Sequence, residues 1–332
     1  MARNWPGWLG LGLAVVLARV GVAVGGDAPT SSPNIAACQC AIGECATGQC
    51  GTIGDGCCCT PCCGWYAGLE GTFLKVSRDP SAINLQPGLP DPSLSSSNFN
   101  SSYGVGARGW LGYQNCEGWG LRGRFWDFRD GQNVSGFNSE FLFANGTYAM
   151  QAYTIDLEAT KEITSGCWSF EGAFGGRYAR LEQDQTLIAT STFDTESAFA
   201  SRYISGTGIT GFLEGRRAVG DCNVSLFANV RGSVLWGSDY GAVGGTINAA
   251  RASMQNATSN TLCIIETQIG VEWTHPLECI CGTFFVRGAY EFQQWSAGNN
   301  LGINVNSRGF HAAPESADVD FNGLAFAIGF RR

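Results

Sequence analysis

"GVGARGWLGYQNCEGWGLRGRFWDFRD", residues 104–130, sets arginines at alternate positions among aromatic and small apolar residues. Val105, Ala107, Leu111 and Tyr113 share one face before the turn "NCEG". Trp119, Leu121 and Phe125 share one face after it, while Arg108, Arg122 and Arg124 take the opposite face. A period of two is that of a β-strand, whose successive side chains point to opposite sides. The stretch therefore predicts a hairpin with one greasy face and one charged face. Which of the two meets water depends on the rest of the chain.

The chain has 332 residues, of which 44% are hydrophobic and only 14% charged. Soluble globular chains carry roughly 25% charged residues. The net charge is −8, and no basic run exists to neutralise phosphates, which excludes a nucleic-acid partner. Residues 1–26 read as a signal peptide: Arg3 precedes a mostly apolar run from Leu9 to Val24, with small residues near Ala23 to Gly26. After that, no window approaches the roughly 18 apolar residues of a spanning helix. Any later crossing of a membrane must be made by strands.

Alternating stretches recur at 64–76, 103–114, 119–130, 147–162, 168–182, 202–217, 223–237, 262–274, 283–296 and 318–331. In 168–182, Trp168, Phe170, Phe174 and Tyr178 oppose Glu171 and Arg177. In 223–237, Val224, Leu226, Val230, Val234 and Trp236 oppose Asn229 and Arg231. Connections alternate between short ones ("NCEG", "ITSG", "AVGD", "HPLECICG") and long ones at about 77–102, 131–146, 183–201, 238–261 and 297–317. Short turns on one rim and long loops on the other, with an even number of strands, are the pattern of an outer-membrane barrel. The ten residues from Trp168 to Tyr178 span about 25 Å when tilted, the height of such a barrel's apolar band. Trp65, Tyr113, Trp119, Trp168 and Trp273 would form an aromatic girdle at the short-turn end, and Tyr178, Trp236 and Phe292 one at the other. The expected fold is all-β: a transmembrane up-and-down antiparallel barrel of ten strands, or twelve if 184–200 or 238–261 hides a hairpin. A soluble β-sandwich competes, but one core rarely needs ten long strands. The domain reading is 1–26 signal peptide, 27–63 Cys-rich periplasmic segment, and 64–332 outer-membrane barrel.

The segments "GWYAGLEGTFLKV" (64–76), "GVGARGWLGY" with "GWGLRGRFWDF" (104–128), "GITGFLEGRR" (208–217) and "DVDFNGLAFAIGFRR" (318–332) resemble the Legionella-type major outer membrane protein family. The resemblance runs through 64–332, with gaps in the loops. It implies a pore-forming barrel in the outer membrane. One departure is at the end: outer-membrane strands commonly finish on an aromatic, whereas here Arg331 and Arg332 follow Phe330. The Cys-rich segment lies outside the resemblance.

The charged faces hold Arg108, Arg122, Arg124, Asp156, Glu158, Glu171, Arg177, Glu214, Arg216, Arg231, Glu266, Glu272, Arg287 and Glu291, mostly in the strand halves nearer the short turns. They are expected to line the lumen as a mixed-charge belt. Such a belt can act as a constriction that screens ions and small polar solutes. It can equally be a salt-bridged filling, since ten strands enclose little beyond packed side chains.

Fifteen cysteines in an exported chain imply an oxidising compartment. Cys38, Cys40, Cys45, Cys50, Cys57, Cys58, Cys59, Cys62 and Cys63 cluster before the barrel, and Cys116, Cys167, Cys222, Cys279 and Cys281 sit at its short turns. These are disulfide candidates that would staple the segment to the turns or to neighbouring periplasmic or cell-envelope proteins. Cys263, expected near the long-loop rim, is left over. Zinc is disfavoured: Cys59 and Cys62 have the spacing of one ligand pair, but no second pair and no nearby His. No metal or cofactor is expected, and the membrane partner is outer-membrane lipid. An enzyme is not expected either. His311 with Glu315, Asp318 and Asp320 could activate water, but no G-x-S-x-G or H-E-x-x-H motif appears. The function expected is passage of ions or small polar solutes; the alternatives are a non-conducting structural or surface-exposed barrel, and then a hydrolase.

Overall fold

The computed structural model describes residues 63–78, 83–85, 103–138, 142–165, 167–190, 195–219, 223–247, 250–277, 282–296, 299–306, 309–316 and 318–331. Ten long strands close into a barrel: β1 (Gly64–Arg78), β3 (Tyr103–Gln114), β4 (Trp119–Asn138), β5 (Leu142–Ser165), β6 (Trp168–Thr190), β7 (Thr195–Val219), β8 (Val224–Ile247), β9 (Ala250–Leu277), β10 (Gly282–Ser296) and β13 (Val319–Arg331). Each pairs antiparallel with its neighbours, and β1 meets β13 to shut the ring, from Tyr66 opposite Arg331 to Arg78 opposite Val319. Three short strands form a separate sheet: β11 (Asn299–Asn306) and β12 (Gly309–Ser316) make a hairpin, and β2 (Ile83–Leu85) runs parallel to β11. Closure is what a hydrocarbon solvent demands, since it offers no partner to an unpaired backbone N–H or C=O.

The opening hairpin forms as read. Arg108 is directly opposite Trp126, and Tyr113 opposite Leu121. Its turn is built by Asn115, whose side-chain oxygen accepts from the backbone N–H of Glu117 at 3.0 Å and of Trp119 at 2.9 Å. Gly118 takes φ of 82°, and a Cβ there would lie 2.5 Å from the Glu162 carbonyl oxygen. Only glycine accepts both the left-handed backbone and that close approach.

The apolar face points outward. Leu69, Leu121, Leu157, Phe174, Leu213, Ile269 and Phe326 are exposed on the wall, while the alternate positions are buried within it. The Trp and Tyr residues assigned to the short-turn girdle, Trp65, Tyr113, Trp119, Trp168 and Trp273, all face outward there.

The long connections need correction. Residues 131–138, 142–146, 183–190, 195–201, 238–247 and 250–261 are strand, not loop. β4 to β9 simply run on past the apolar band. A strand of 24 residues such as β5 rises about 60 Å at a tilt near 40°, more than twice the band of about 25 Å. Above the band the outer face meets water, so its run of apolar residues stops while the backbone ladder continues. Residues 253–259 show this, being exposed without a break. The suspected extra hairpins at 184–200 and 238–261 are thus the upper ends of existing strand pairs, and the barrel count stays ten. Within 297–317 the connection holds β11 and β12. The short connection "HPLECICG" is also shorter than expected: His275 and Pro276 are strand residues of β9, and the His275 ring stacks on Trp273 at 5.7 Å. Cys263 lies well inside β9, between Val234 and Ser296, instead of at its rim.

Candidate functional site

The lumen is built in layers by the inward residues of the ten barrel strands. All fourteen charged residues expected to face inward do so, and all join one ion-pair network. Arg122 stands across from Glu158 in the β4–β5 register and Arg124 across from Asp156, so both pairs follow from hairpin partnership. Arg122 Nε and Nη2 donate to Glu158 at 3.0 and 2.9 Å, and its Nη1 reaches Glu171 at 2.5 Å. Other contacts cross the lumen between distant strands. Arg124 Nη2 donates to Glu266 at 2.9 Å across 142 residues of sequence. Arg177 clamps Asp156 at 2.6 and 2.8 Å and also binds Glu266. Arg108 joins Glu70 to Glu291, the latter at 2.5 Å. Arg231 binds Glu158, and Arg287 binds Glu272 and, at 3.0 Å, Glu214. Arg216 Nε lies 2.8 Å from Glu214.

Sequence reading missed four groups of the network. Glu70 faces inward on β1, buried beside Arg108. Glu162 receives Gln114 at 3.1 Å and Ser169 at 2.6 Å. Gln268 bridges Glu70 and Glu291 at 3.3 and 2.9 Å. Arg331, read only as a departure from the terminal aromatic, turns inward and donates to both oxygens of Glu272 at 3.1 and 2.8 Å. Strand alternation places all four inside; Glu70 is flanked by Gly71, Glu162 and Arg331 lie at strand margins, and Gln268 carries no charge to mark it. With them the layer holds eight arginines against nine carboxylates among the described residues, a formal balance of −1.

Aromatic rings are threaded through the charges. Phe212 is sandwiched between the Arg122 and Arg231 guanidiniums at 4.9 and 4.7 Å, and Phe285 takes Arg331 at 4.5 Å and Arg287 at 5.3 Å. Planar guanidinium groups pack on ring faces and still bind carboxylates edge-on. A cavity of about 80 Å³ remains among Tyr66, Arg108, Arg231, Glu266 and Phe285. That volume suits about two or three waters. Arg108 Nε and Arg231 Nε, both buried, have no protein acceptor among the described residues.

Above the charges, toward the extended strands, the lumen turns apolar. Trp126, Phe128, Trp295 and Phe321 pack ring on ring: Trp126 on Phe128 at 5.8 Å, on Trp295 at 6.0 Å and on Phe321 at 5.9 Å. Each of the four is at most 1% exposed. Leu74, Met150, Leu181, Ile204, Leu235 and Ile264 complete this plug around the ring. A second polar level sits above it, where Arg202 binds Asp239 at 2.7 Å and Asp130 and Gln185 are buried.

The remaining candidates are the cysteines and His311. Among the described residues Cys63 and Cys167 form no disulfide and are exposed at the short-turn rim, where Cys116 also lies, and Cys263 is half-buried on the wall. Cys38, Cys40, Cys45, Cys50, Cys57, Cys58, Cys59, Cys62, Cys222, Cys279 and Cys281 lie outside the described residues, as do residues 1–26, the stretch read as a signal peptide. His311 is on β12 opposite Asn304. No group of three or more metal-ligating side chains occurs among the described residues.

Among solved structures, the outer membrane protease OmpT of Escherichia coli aligns over 82% of this chain and 97% of its own at 11% identity, with a TM-score of 0.46. A FadL homologue of Pseudomonas aeruginosa aligns over 80% and 89% at 8% identity with a TM-score of 0.22. The ferric citrate transporter FecA, unliganded, aligns over 68% and 62% at 9% identity with a TM-score of 0.22. No curated protein matches the chain. The sequence profile described as Legionella pneumophila major outer membrane protein precursor matches residues 59–331, and so the chain belongs to that family and is an outer-membrane β-barrel protein.

Proposed function

We propose that this barrel is a closed structural protein of the outer membrane, which carries a tall β-walled collar beyond the lipid, and that it does not conduct in its resting state. One observation carries the reading. Trp126, Phe128, Trp295 and Phe321 fill the lumen above the ion-pair layer with side chains that are almost wholly buried. A conducting pore needs a continuous wet path, and wide aqueous channels come with about sixteen or more strands. The exposed thiols of Cys63 and Cys167 on the short-turn rim support attachment there to the Cys-rich segment or to envelope proteins. In this reading the chain is not an enzyme and needs no cofactor.

The pore reading keeps one observation in its favour. The cavity of about 80 Å³ among the charges, with open donors on Arg108 and Arg231, is a polar chamber in one half of the lumen. It would serve as a selectivity constriction if the plug moved aside. Purified full-length protein in a planar bilayer separates the two. The closed reading expects silence from the wild type and leakage from a Trp126→Ala, Phe321→Ala double variant. A steady wild-type current that changes with Arg122→Ala would establish the pore instead. A peptidase or esterase activity lost on His311→Ala would show that the chain is a hydrolase.

A further inference from the structure

On the outer wall, apolar residues give way to polar ones along most of the barrel strands among the described residues. On six strands adjacent around the wall (β1, β3, β4, β5, β6 and β7) the outward residues near that level include a cation or a tyrosine in alternation, Lys75, Tyr103, Arg129, Tyr153, Arg180 and Tyr203, with Asp127 and Glu182 outward beside the two arginines. Their registers make them direct or diagonal neighbours: Lys75 is opposite Tyr103, Tyr153 is opposite Arg180, and Gln151, two residues from Tyr153, is opposite Arg129. Strands lie about 4.8 Å apart, so successive cations stand about 10 Å from one another. The other four strands carry Tyr240, Thr261, Gln294 and Asn322 near this level and no cation among the described residues.

The arc is held in place. The Arg180 guanidinium lies 4.4 Å from the Tyr203 ring centre and 5.9 Å from that of Tyr153. Its Glu182 partner takes one terminal nitrogen, and Asp127 takes Nε of Arg129 at 3.2 Å. The two terminal nitrogens of Arg129 have no protein partner among the described residues, and its side chain is 72% exposed. Cations placed just outside the apolar band sit at the depth of lipid headgroups, where they meet anionic oxygens. Guanidinium forks with phenolic donors between them suit phosphate. In the outer leaflet of an outer membrane the phosphate belongs to glycolipid.

We infer that this arc binds the phosphate groups of an outer-leaflet glycolipid, whose acyl chains lie on the apolar wall beneath. The inference is independent of whether the lumen conducts. Its test uses the full-length protein in phosphatidylcholine nanodiscs, titrated with bis-phosphorylated lipid A and read by native mass spectrometry. The wild type should retain the lipid. A Lys75→Gln, Arg129→Gln, Arg180→Gln variant should bind it about tenfold more weakly or worse. Lipid A stripped of its phosphates should be retained as poorly by the wild type as the phosphorylated form is by the variant. Heat-dependent gel migration checks that the variant is folded; should it fail, Arg129→Gln alone carries the test with a smaller loss. Equal retention of both lipids, unchanged binding by the folded variants, or a loss confined to Lys161→Gln, Arg217→Gln at the opposite rim would overturn the assignment.

Discussion

At the scale of the residue, the lumen shows why buried charge tolerates no missing partner. Arg177 is fully buried between Asp156 and Glu266, and its side chain touches no solvent. Removing a buried partner strands the opposite charges in a medium that cannot hydrate them, at a cost of about 3–5 kcal/mol. Arg331 binds Glu272 from the rim with a side chain 30% exposed, and Glu272 keeps Arg287 when Arg331 is lost. Arg177→Ala should therefore destabilise the folded barrel by about 3–5 kcal/mol, and Arg331→Ala by about 1–2 kcal/mol. Equilibrium urea unfolding from lipid vesicles measures both. A reversed order would mean that the rim pair, not the central cluster, holds the filling together. Of these two arginines, only Arg177 was picked out from sequence, because it falls mid-strand amid a clear alternation. Arg331 is the penultimate residue of the sequence, where a period of two has no further residue on the same face to confirm it.

Single strands show two solvents acting on one continuous ladder. Leu157 and Thr147 share the outward face of β5, ten residues apart, and both are exposed. Leu157 stands in the apolar band; Thr147 stands on the extension above it. An arginine on the lipid face near the midplane costs about 2–4 kcal/mol. A surface change in water usually stays within about 0.5 kcal/mol. Leu157→Arg should thus destabilise by about 2–4 kcal/mol and Thr147→Arg by less than about 0.5 kcal/mol in the same vesicle unfolding assay. Similar losses at both sites would place the extension inside lipid and contradict the two-solvent description. The same contrast explains why the strands were legible only up to their girdles. An apolar outer face opposite a charged inner one marks a strand in the band; beyond Tyr153 and Tyr178 the outer face is wet, while Met150 and Leu181 still pack inside.

For the whole molecule, stability rests on closure. β13 pairs along its length with both β1 and β10, and β1 with both β13 and β3. Deleting residues 319–332 would leave two long edges with unpaired backbone groups facing hydrocarbon. The full chain should migrate as a compact band on an unheated detergent gel and shift on boiling, while the truncated chain should migrate identically under both conditions. A compact unheated band from the truncated chain would mean that nine strands can close. The lumen layers belong to this scale too. The ion-pair layer and the aromatic plug are assembled from strands far apart in sequence, as Arg124 with Glu266 and Trp126 with Phe321 show.

The amino-acid sequence alone determined the ribbon: which residues alternate, which face is greasy, and that any crossing of a membrane beyond the N-terminal apolar run must be made by strands; closure fixed their number at ten. Those properties are local, since a period of two and a turn such as Asn115–Gly118 are written within a few neighbouring residues. It also determined that the charged residues face inward, because facing outward would set them in lipid. Tertiary structure alone decided what the inward residues do there. Closing ten strands brings opposite walls within side-chain reach, so charges that read equally as a pore lining or a salt-bridged filling find partners, and Trp126 and Phe128 of β4 meet Trp295 and Phe321 from two other strands. Distances across a closed ring depend on curvature and register, and no stretch of sequence records either.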